Sequence, residues 1–495
     1  MDKRTRALVW AAGGIAGGVV GGWAGTAGAQ TRLLLVDRTA DCVWLLHDAN
    51  NDGSIDLSTE VGLFFGAGNA DGLGTCLNPN ILGAGPLGSG GATGGENGAG
   101  VRLVLVGDQD GGRRCVFALR DRNGDGDAMD AGEAVIGAAS AAPGEAVPAF
   151  GTPNASGVSF AFPTGVAFDA QGRACVTNAG NTLGADAIWR LVDGDGDGAF
   201  GSAGEITPVV GDATTGFGPG NGPFSPQEIV FAGPAGGGGG VGAVGYMRES
   251  GTANQGVWRL QDLNNNGRAD DPGEFTLFFG AGNGSGVTVS AGFAVDVDPT
   301  RPGAVYMLQT ATGGVDQLYR LRDGNGDGDA MDAGEAELVF STAEAGFTSI
   351  DAMTLADGSV LISENGGDAT KNGSIIRLRD IDGDGRFAST GERSTWLLAA
   401  VSGRIRAVRA MSLYPVPPAL PTRCNLADVT GIGGPPASPD GLLTGDDFNA
   451  FIAAFASAGP LADVTGIGGP PAAPDGLITG DDFNAFIAAF AQGCP

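Results

Sequence analysis

The 495-residue sequence predicts an all-β fold, a six-bladed β-propeller, followed by a small α-helical C-terminal domain. Three observations predict this: an acidic segment of fixed length recurring six times, a strand of fixed pattern before each copy, and a new kind of repeat after residue 414. The copies are DANNDGSIDLSTE (48–60), DRNGDGDAMDAGE (121–133), DGDGDGAFGSAGE (193–205), DLNNNGRADDPGE (262–274), DGNGDGDAMDAGE (323–335) and DIDGDGRFASTGE (380–392). Each runs thirteen residues from its first Asp to its last Glu.

The chain begins with Lys3, Arg4 and Arg6, an apolar Ala/Gly/Val stretch, and Ala27-Gly28-Ala29. That order is the pattern of a secretory signal peptide over 1–29; an uncleaved anchor is the alternative, diluted by glycine. Export to the cell surface, medium or periplasm places the mature chain where calcium is plentiful and thiols pair. Cys424 and Cys494 bracket the last segment and are a candidate pair, whereas Cys42, Cys76, Cys115 and Cys175 allow three pairings between which the sequence does not choose. The net charge of −29 and a pI near 4.1 argue against non-specific nucleic-acid or anionic-membrane binding. The 92 glycines and 26 prolines favour short elements joined by turns.

Residues 30–414 are the predicted propeller. Leu stands two residues before every loop (Leu46, Leu119, Leu191, Leu260, Leu321, Leu378), and a bulky residue stands four before (Trp44, Phe117, Trp189, Trp258, Tyr319, Ile376). Between them lies Arg in the last four copies (Arg190, Arg259, Arg320, Arg377). Such period-two alternation defines strands. A second apolar run follows each loop, as in VGLFF (61–65) and FTLFF (275–279). Two more strands are expected upstream: GVAFD (165–169) and ACVTN (174–178) in the third unit, GFAVDVD (292–298) and AVYMLQT (304–310) in the fifth, IDAMTLA (350–356) and SVLISE (359–364) in the sixth. Four strands per unit, with loops roughly 55 to 75 residues apart, suit propeller blades better than the alternative, a β-sandwich array. The first unit lacks its innermost strand, and IRAVRAMSLY (405–414) is expected to supply it, closing the ring and removing exposed edges. A six-unit repeat of this kind resembles the propellers of the NHL and lactonase-like groups.

The loops carry the metal chemistry. Calcium takes six to eight hard oxygens, and DxDxDG offers carboxylates or amide oxygens at positions 1, 3 and 5 with Gly at 6 to turn the chain. The candidate ligands are Asp48, Asn50, Asp52 and Glu60; Asp121, Asn123, Asp125 and Glu133; Asp193, Asp195, Asp197 and Glu205; Asp262, Asn264, Asn266 and Glu274; Asp323, Asn325, Asp327 and Glu335; and Asp380, Asp382, Asp384 and Glu392. In an EF-hand the bidentate Glu stands at 12; here Glu stands at 13 and the chain leaves into a strand. The expectation is a calcium-stapled hairpin in each blade, set against a plain solvated turn. Asn264 and Asn266 should make the fourth loop the weakest.

PVPPALPTR (415–423) is a semi-rigid linker. Beyond it, LADVTGIGGPPASPDGLLTGDDFNAFIAAFA (426–456) is repeated almost unchanged at 461–491. Each copy predicts a short helix, with Thr444 or Thr479 at its cap and Phe448, Phe451, Ile452 and Phe455, or Phe483, Phe486, Ile487 and Phe490, forming one apolar stripe. With DVTG, DGLLTGDDFNAFIAAF and the framing Cys424 and GCP, residues 424–495 resemble the dockerin family, specifically GC-type dockerin-like tails. The resemblance implies calcium ligands at Asp428, Thr430, Asp440, Thr444 and Asp447, repeated at Asp463, Thr465, Asp475, Thr479 and Asp482, and a cohesin-like or cell-surface protein as partner. IGGPPASP (432–439) and IGGPPAAP (467–474) interrupt the family's loop, and Thr stands where Asn is usual.

Signals for catalysis are sparse. The lone His47 reads as a solvated strand residue, and PAGGGGG (234–240) as a flexible loop. Asn178, Glu228 and Asp351 lie near inner strands and could converge on the propeller axis. Two functions are therefore carried forward. One is an exported, calcium-binding, non-catalytic scaffold or module for a carbohydrate or other small ligand, docked by its tail; the alternative is a secreted lactonase-like or polysaccharide-degrading hydrolase carried by the same tail.

Overall fold

The structure, a computed structural model, describes residues 32–50, 52–71, 73, 79–84, 103–108, 114–121, 127–139, 155–156, 158, 160, 162–169, 172–179, 186–211, 225–232, 244–251, 254–290, 292, 294–298, 301, 303–310, 315–345, 349–356, 358–364, 373–398, 405–414, 427, 429, 445–457, 462, 464–465 and 477–492. The predicted signal peptide, the linker and PAGGGGG lie outside the described residues, as do Cys76, Cys424 and Cys494.

Among the described residues, alternating sequences place 24 strands in six antiparallel four-stranded sheets. From axis to rim, the first blade holds β24 (Val408–Leu413), β1 (Arg32–Asp37), β2 (Cys42–His47) and β3 (Val61–Phe65). The second holds β4 (Pro79–Ala84), β5 (Val104–Asp108), β6 (Cys115–Leu119) and β7 (Ala134–Ala139); the third, β8 (Pro163–Phe168), β9 (Ala174–Asn178), β10 (Ala187–Leu191) and β11 (Ile206–Gly211). The fourth holds β12 (Pro226–Phe231), β13 (Gly245–Glu249), β14 (Gly256–Leu260) and β15 (Phe275–Gly280). The fifth holds β16 (Val295–Val297), β17 (Ala304–Gln309), β18 (Gln317–Arg322) and β19 (Ala336–Ser341), then the single turn α1 (Thr342–Ala345). The sixth holds β20 (Ile350–Ala356), β21 (Ser359–Glu364), β22 (Ile375–Leu378) and β23 (Arg393–Leu397). Innermost strands touch in the cyclic order β24, β4, β8, β12, β16, β20, β24.

The fold is thus a six-bladed propeller, and the sandwich alternative falls. Its ring closes as expected, by β24 pairing with β1 in the register Leu33↔Leu413 and Leu35↔Met411. The strands anticipated at 350–356 and 359–364 form with those bounds, whereas the one anticipated at 292–298 shortens to Val295–Val297.

The core lies between blades. Each of six apolar clusters joins two adjacent sheets; one packs Leu46, Ile55 and Leu33 of the first blade against Trp396, Ile375 and Leu361 of the sixth. Middle strands such as β6, β9, β17 and β21 are therefore buried along their whole length. The Leu fixed before each loop is at most 2% exposed, so the sequence repeat is the imprint of this seam. In every blade the outer hairpin shifts register beside the bulky residue, between Val43/Trp44, Val116/Phe117, Ile188/Trp189, Val257/Trp258, Leu318/Tyr319 and Ile375/Ile376. These are β-bulges, which twist the rim strand.

After the propeller come α2 (Gly445–Ala456) and α3 (Gly480–Gln492), the predicted pair of helices. Their stripes pack together through Phe451 and Phe486, whose rings stack 3.8 Å apart. Among the described residues no helix is long and apolar enough to cross a membrane.

Candidate functional site

The acidic loops join the third and fourth strand of each blade, which sets all of them on one face of the ring. Their backbone is built on the first and last carboxylates. In the sixth loop Asp380 accepts N–H bonds from Gly383 (2.7 Å) and Gly385 (3.0 Å), and Glu392 accepts from Ile381 (3.1 Å) and Ser389 (2.8 Å). The fifth repeats this: Asp323 takes Gly326 and Gly328, Glu335 takes Gly324 and Asp332. So do Asp193 and Glu205 in the third loop, Asp262 and Glu274 in the fourth, and Asp48 and Glu60 in the first. In the second loop Glu133 accepts from Asp130; Asn123 and Asp125 lie outside the described residues. Gly at position 6 is required because the chain there has positive φ, as at Gly328 (101°) and Gly267 (88°).

Buried Glu at position 13 thus closes the hairpin by capping both halves of the loop. In the first, third, fourth, fifth and sixth loops positions 3 and 5 project into solvent. Asp380, Asp382, Asp384 and Glu392 each bring a carboxylate oxygen within 4.8 Å of the others, and Asp193, Asp195 and Asp197 do the same. In the fourth loop Asp270, Asp271 and Glu274 converge, and Asn264 and Asn266 turn their amide N–H groups toward Asp271.

Position 10 was missed in the sequence. Where position 3 is Asp, position 10 is Ser and its hydroxyl donates to that Asp: Ser202 to Asp195 (2.6 Å), Ser389 to Asp382 (2.7 Å). These bonds hold Asp195 and Asp382 below the ordinary carboxylate range. In the fourth and fifth loops position 3 is Asn, and position 10 is Asp and accepts instead: Asn264 to Asp271, Asn325 to Asp332 (2.6 Å). The second loop has the same pair of types, Asn123 and Asp130, while the first has Asn50 and Leu57 with Asp56 one place earlier. The swap of Asp/Ser for Asn/Asp was visible in the sequence, and it preserves the count of carboxylates.

A second group of polar residues surrounds the axis at the ends where the innermost strands begin, on the face opposite the loops. A cavity of about 70 Å³ is lined by Thr164, Gln227, Glu228, Asp351 and Arg409, among others. Glu228 and Asp351 therefore converge as expected; Asn178 does not, since it ends β9 and accepts the Phe162 N–H. Arg409, unforeseen, pairs with Asp351 at 2.8 Å. Thr164, Gln227 and, beside Glu228, Asp296 are unforeseen as well. Most of these groups bind the neighbouring blade: Glu228 accepts the Val295 N–H (3.1 Å), Asp296 the Leu355 N–H (3.0 Å), and the Thr164 hydroxyl donates to Pro226 O. At Gly83 the blades meet so closely that a Cβ would lie 2.7 Å from Val166. Burial, then the neighbouring Asp296, pushes Glu228 well above the carboxylate range, and burial pushes Asp296 up to about 7. His47 ends β2 with its pKa lowered by burial and then by Arg32, and takes no part in this group.

Cys42 and Cys175 are buried, free thiols pushed up to about 12 by burial, and Cys115 is buried likewise. In the tail, Asp447 accepts the Val429 N–H (3.0 Å), and Asp482 those of Val464, Thr465 and Thr479. Each DVT segment is thereby tied to the start of its helix. Asp428, Thr430, Asp440, Thr444, Asp463 and Asp475 lie outside the described residues.

No known protein family matches the chain, and no curated protein is similar to it. A candidate 6-phosphogluconolactonase from Bacteroides uniformis is 12% identical over 78% of this chain and 100% of its own, with a TM-score of 0.39. A DUF4784 family protein from Bacteroides caccae is 7% identical over 78% and 74%, with a TM-score of 0.36. The Aleuria aurantia lectin, a fungal six-bladed propeller that recognises fucose, is 12% identical over 60% and 75%, with a TM-score of 0.29. Similarity at this level assigns no activity to the chain.

Proposed function

We propose that the chain is an exported, calcium-binding propeller that serves as a non-catalytic scaffold or ligand-binding module, docked to a cohesin-like or cell-surface partner by its dockerin-like tail. The observation that carries the reading is the convergence of Asp380, Asp382, Asp384 and Glu392 within one short loop of a sixfold series. Like charges that close repel unless a cation offsets them, and hard oxygens on a tight Gly turn suit calcium. Glu at position 13 keeps lone pairs beyond those its N–H donors use, so capping and ligation are compatible. In the tail, Asp447 and Asp482 are the analogous closing carboxylates.

The axial cavity favours the non-catalytic reading over the hydrolase. At about 70 Å³ it is well below the roughly 300 Å³ at which small-molecule pockets begin, and its carboxylates, Glu228 and Asp351, each hold a neighbouring blade. The test is a calcium titration of the full chain with melts in calcium and in excess EDTA. Saturable binding with a large fall in Tm on chelation is expected; an unchanged melt and no binding heat defeat the calcium reading. Docking is tested by capture from envelope and culture fractions, comparing the full chain with one ending at residue 414, with and without calcium. Equal capture by both chains defeats docking through the tail.

A further inference from the structure

In every blade the residue extruded by the rim bulge has a carbonyl turned away from its own ladder. These residues are Phe64, Gly137, Val209, Phe278, Val339 and Trp396. Each of those carbonyls accepts an N–H from position 8 of the next blade's acidic loop. Ala128 donates to Phe64 (2.8 Å), Phe200 to Gly137 (2.6 Å), Ala269 to Val209 (2.9 Å), Ala330 to Phe278 (2.7 Å) and Phe387 to Val339 (2.9 Å). Ile55 of the first loop donates to Trp396 of the last blade at 2.7 Å, so the set closes on itself. Position 8 is also apolar and at most 7% exposed in all six loops, seated in the seam between blades.

The grip is reinforced from both sides. Backbone that follows the rim strand lies over the next loop, where Ala70 N–H bonds Met129 O, Ala155 bonds Gly201 O and Gly284 bonds Met331 O. Asp71, Ser156 and Ser285 then accept the N–H groups of Gly132, Gly204 and Gly334. In the other half of the loop the position-6 carbonyl takes a guanidinium from the preceding blade, Arg120 to Gly198 O (2.8 Å) and Arg190 to Gly267 O. The guanidinium groups of Arg320 and Arg377 also lie beside position 6 of the next blade's loop, at Gly385 and Gly53. The Arg repeated in the strand pattern therefore reaches toward the neighbouring blade's loop, and Arg190 bonds it, whereas in the second blade Arg120, two places later in the pattern, makes the bond.

We propose that the acidic loops are inter-blade clasps, that the cation each binds tightens its seam with the preceding blade, and that loop 48–60 is the latch of the closed ring. The clasp stands on these bonds alone, while its tightening by a cation rests on the calcium reading above. A loop that loses its fold releases the position-8 donor and strands a rim carbonyl in the seam, so opening must cross from one blade to another.

The test is hydrogen exchange of the full chain, in calcium and in EDTA. The variants are a first-loop pair, Asp48→Asn with Asp52→Asn, and the mild Ser285→Ala, which removes a cap from the fifth loop and leaves every acidic residue in place. The first-loop variant should speed exchange about tenfold in 393–397, a rim strand more than three hundred residues away in sequence, the effect of losing about one buried hydrogen bond. Ser285→Ala should speed exchange at 331–336 in the fifth blade. Acceleration confined to the altered hairpin or segment, spread evenly over all blades, or absent overturns the clasp. If calcium does not bind but the EDTA arm still shows cross-blade opening, the clasp survives and the calcium reading fails; if calcium binds without any change at position 8, the tightening fails.

Discussion

Glu392 is 1% exposed, and its two carboxylate oxygens hold N–H groups from opposite halves of one loop. Glu392→Gln turns an amide N–H₂ toward one of those donors, leaving a buried group unsatisfied; the expected cost is about 2 kcal/mol. Because the donors belong to the backbone, the cost should persist in EDTA, where the solvent-facing Asp382→Asn should cost little. Equal losses for both variants in EDTA would mean that Glu392 acts only as a ligand. Asp296 gives the opposite kind of prediction. With its pKa pushed up to about 7 by burial, the native chain keeps a proton there that the unfolded chain has released. The stability it confers is full below the unfolded value and is lost as pH rises through about 7. Denaturant melts should therefore show Asp296→Asn gaining on the parent between about pH 5.5 and about pH 8, and an unchanged difference would refute the raised pKa. These residues differed in legibility. Glu392 was plain in the sequence because it recurs at a fixed distance from an Asp, whereas Asp296 sits in a three-residue strand of ordinary alternation and acquires its environment from Glu228 and Leu355 of other blades.

At the scale of the element, the unit is a hairpin whose bulge and loop serve different blades. Phe387 at position 8 of the sixth loop is 3% exposed and packs near Tyr306 of the fifth blade, with ring centroids 6.4 Å apart. Phe387→Ala should cost about 3 to 5 kcal/mol, the range for emptying an aromatic core site. Phe448, 38% exposed on α2, should cost far less when truncated. Chemical denaturation decides it, and comparable losses would show that position 8 is not a seam residue. Strand existence was readable from period-two alternation, and the bounds of β20 and β21 follow it. The bulges were not, because one extruded residue in a run such as VGLFF leaves the composition of the strand unchanged. A repeated string that could have pointed to the overlay, FFGAGN at 64–69 and 278–283, encodes the backbone that crosses to the next loop; Asn69 and Asn283 fold it by bonding Gly66 and Gly280.

At the scale of the molecule, one strand converts a row of blades into a ring. Without β24, the first blade would present β1 as an open edge in which Leu33, Leu34, Leu35 and Val36 are fully buried in the intact ring. Such an apolar edge pairs readily with other chains. A chain ending at residue 404 should therefore self-associate and melt early, while one ending at 414 keeps β24 and should remain a monomer with nearly the parent Tm, since the tail helices bury their aromatic rings against each other. Light scattering on the two truncations separates these outcomes, and a monomeric, fully stable chain ending at 404 would show that the seam does not depend on β24. The same seam carries the Ile55–Trp396 bond and the Asp351–Arg409 pair, so closure is secured at the rim, along the sheet and at the axis. Removing one of these should lower the melting temperature without opening the ring, because the other two still hold β1 and β20 in place; only the loss of the strand itself removes the axial pair and the sheet pairing together.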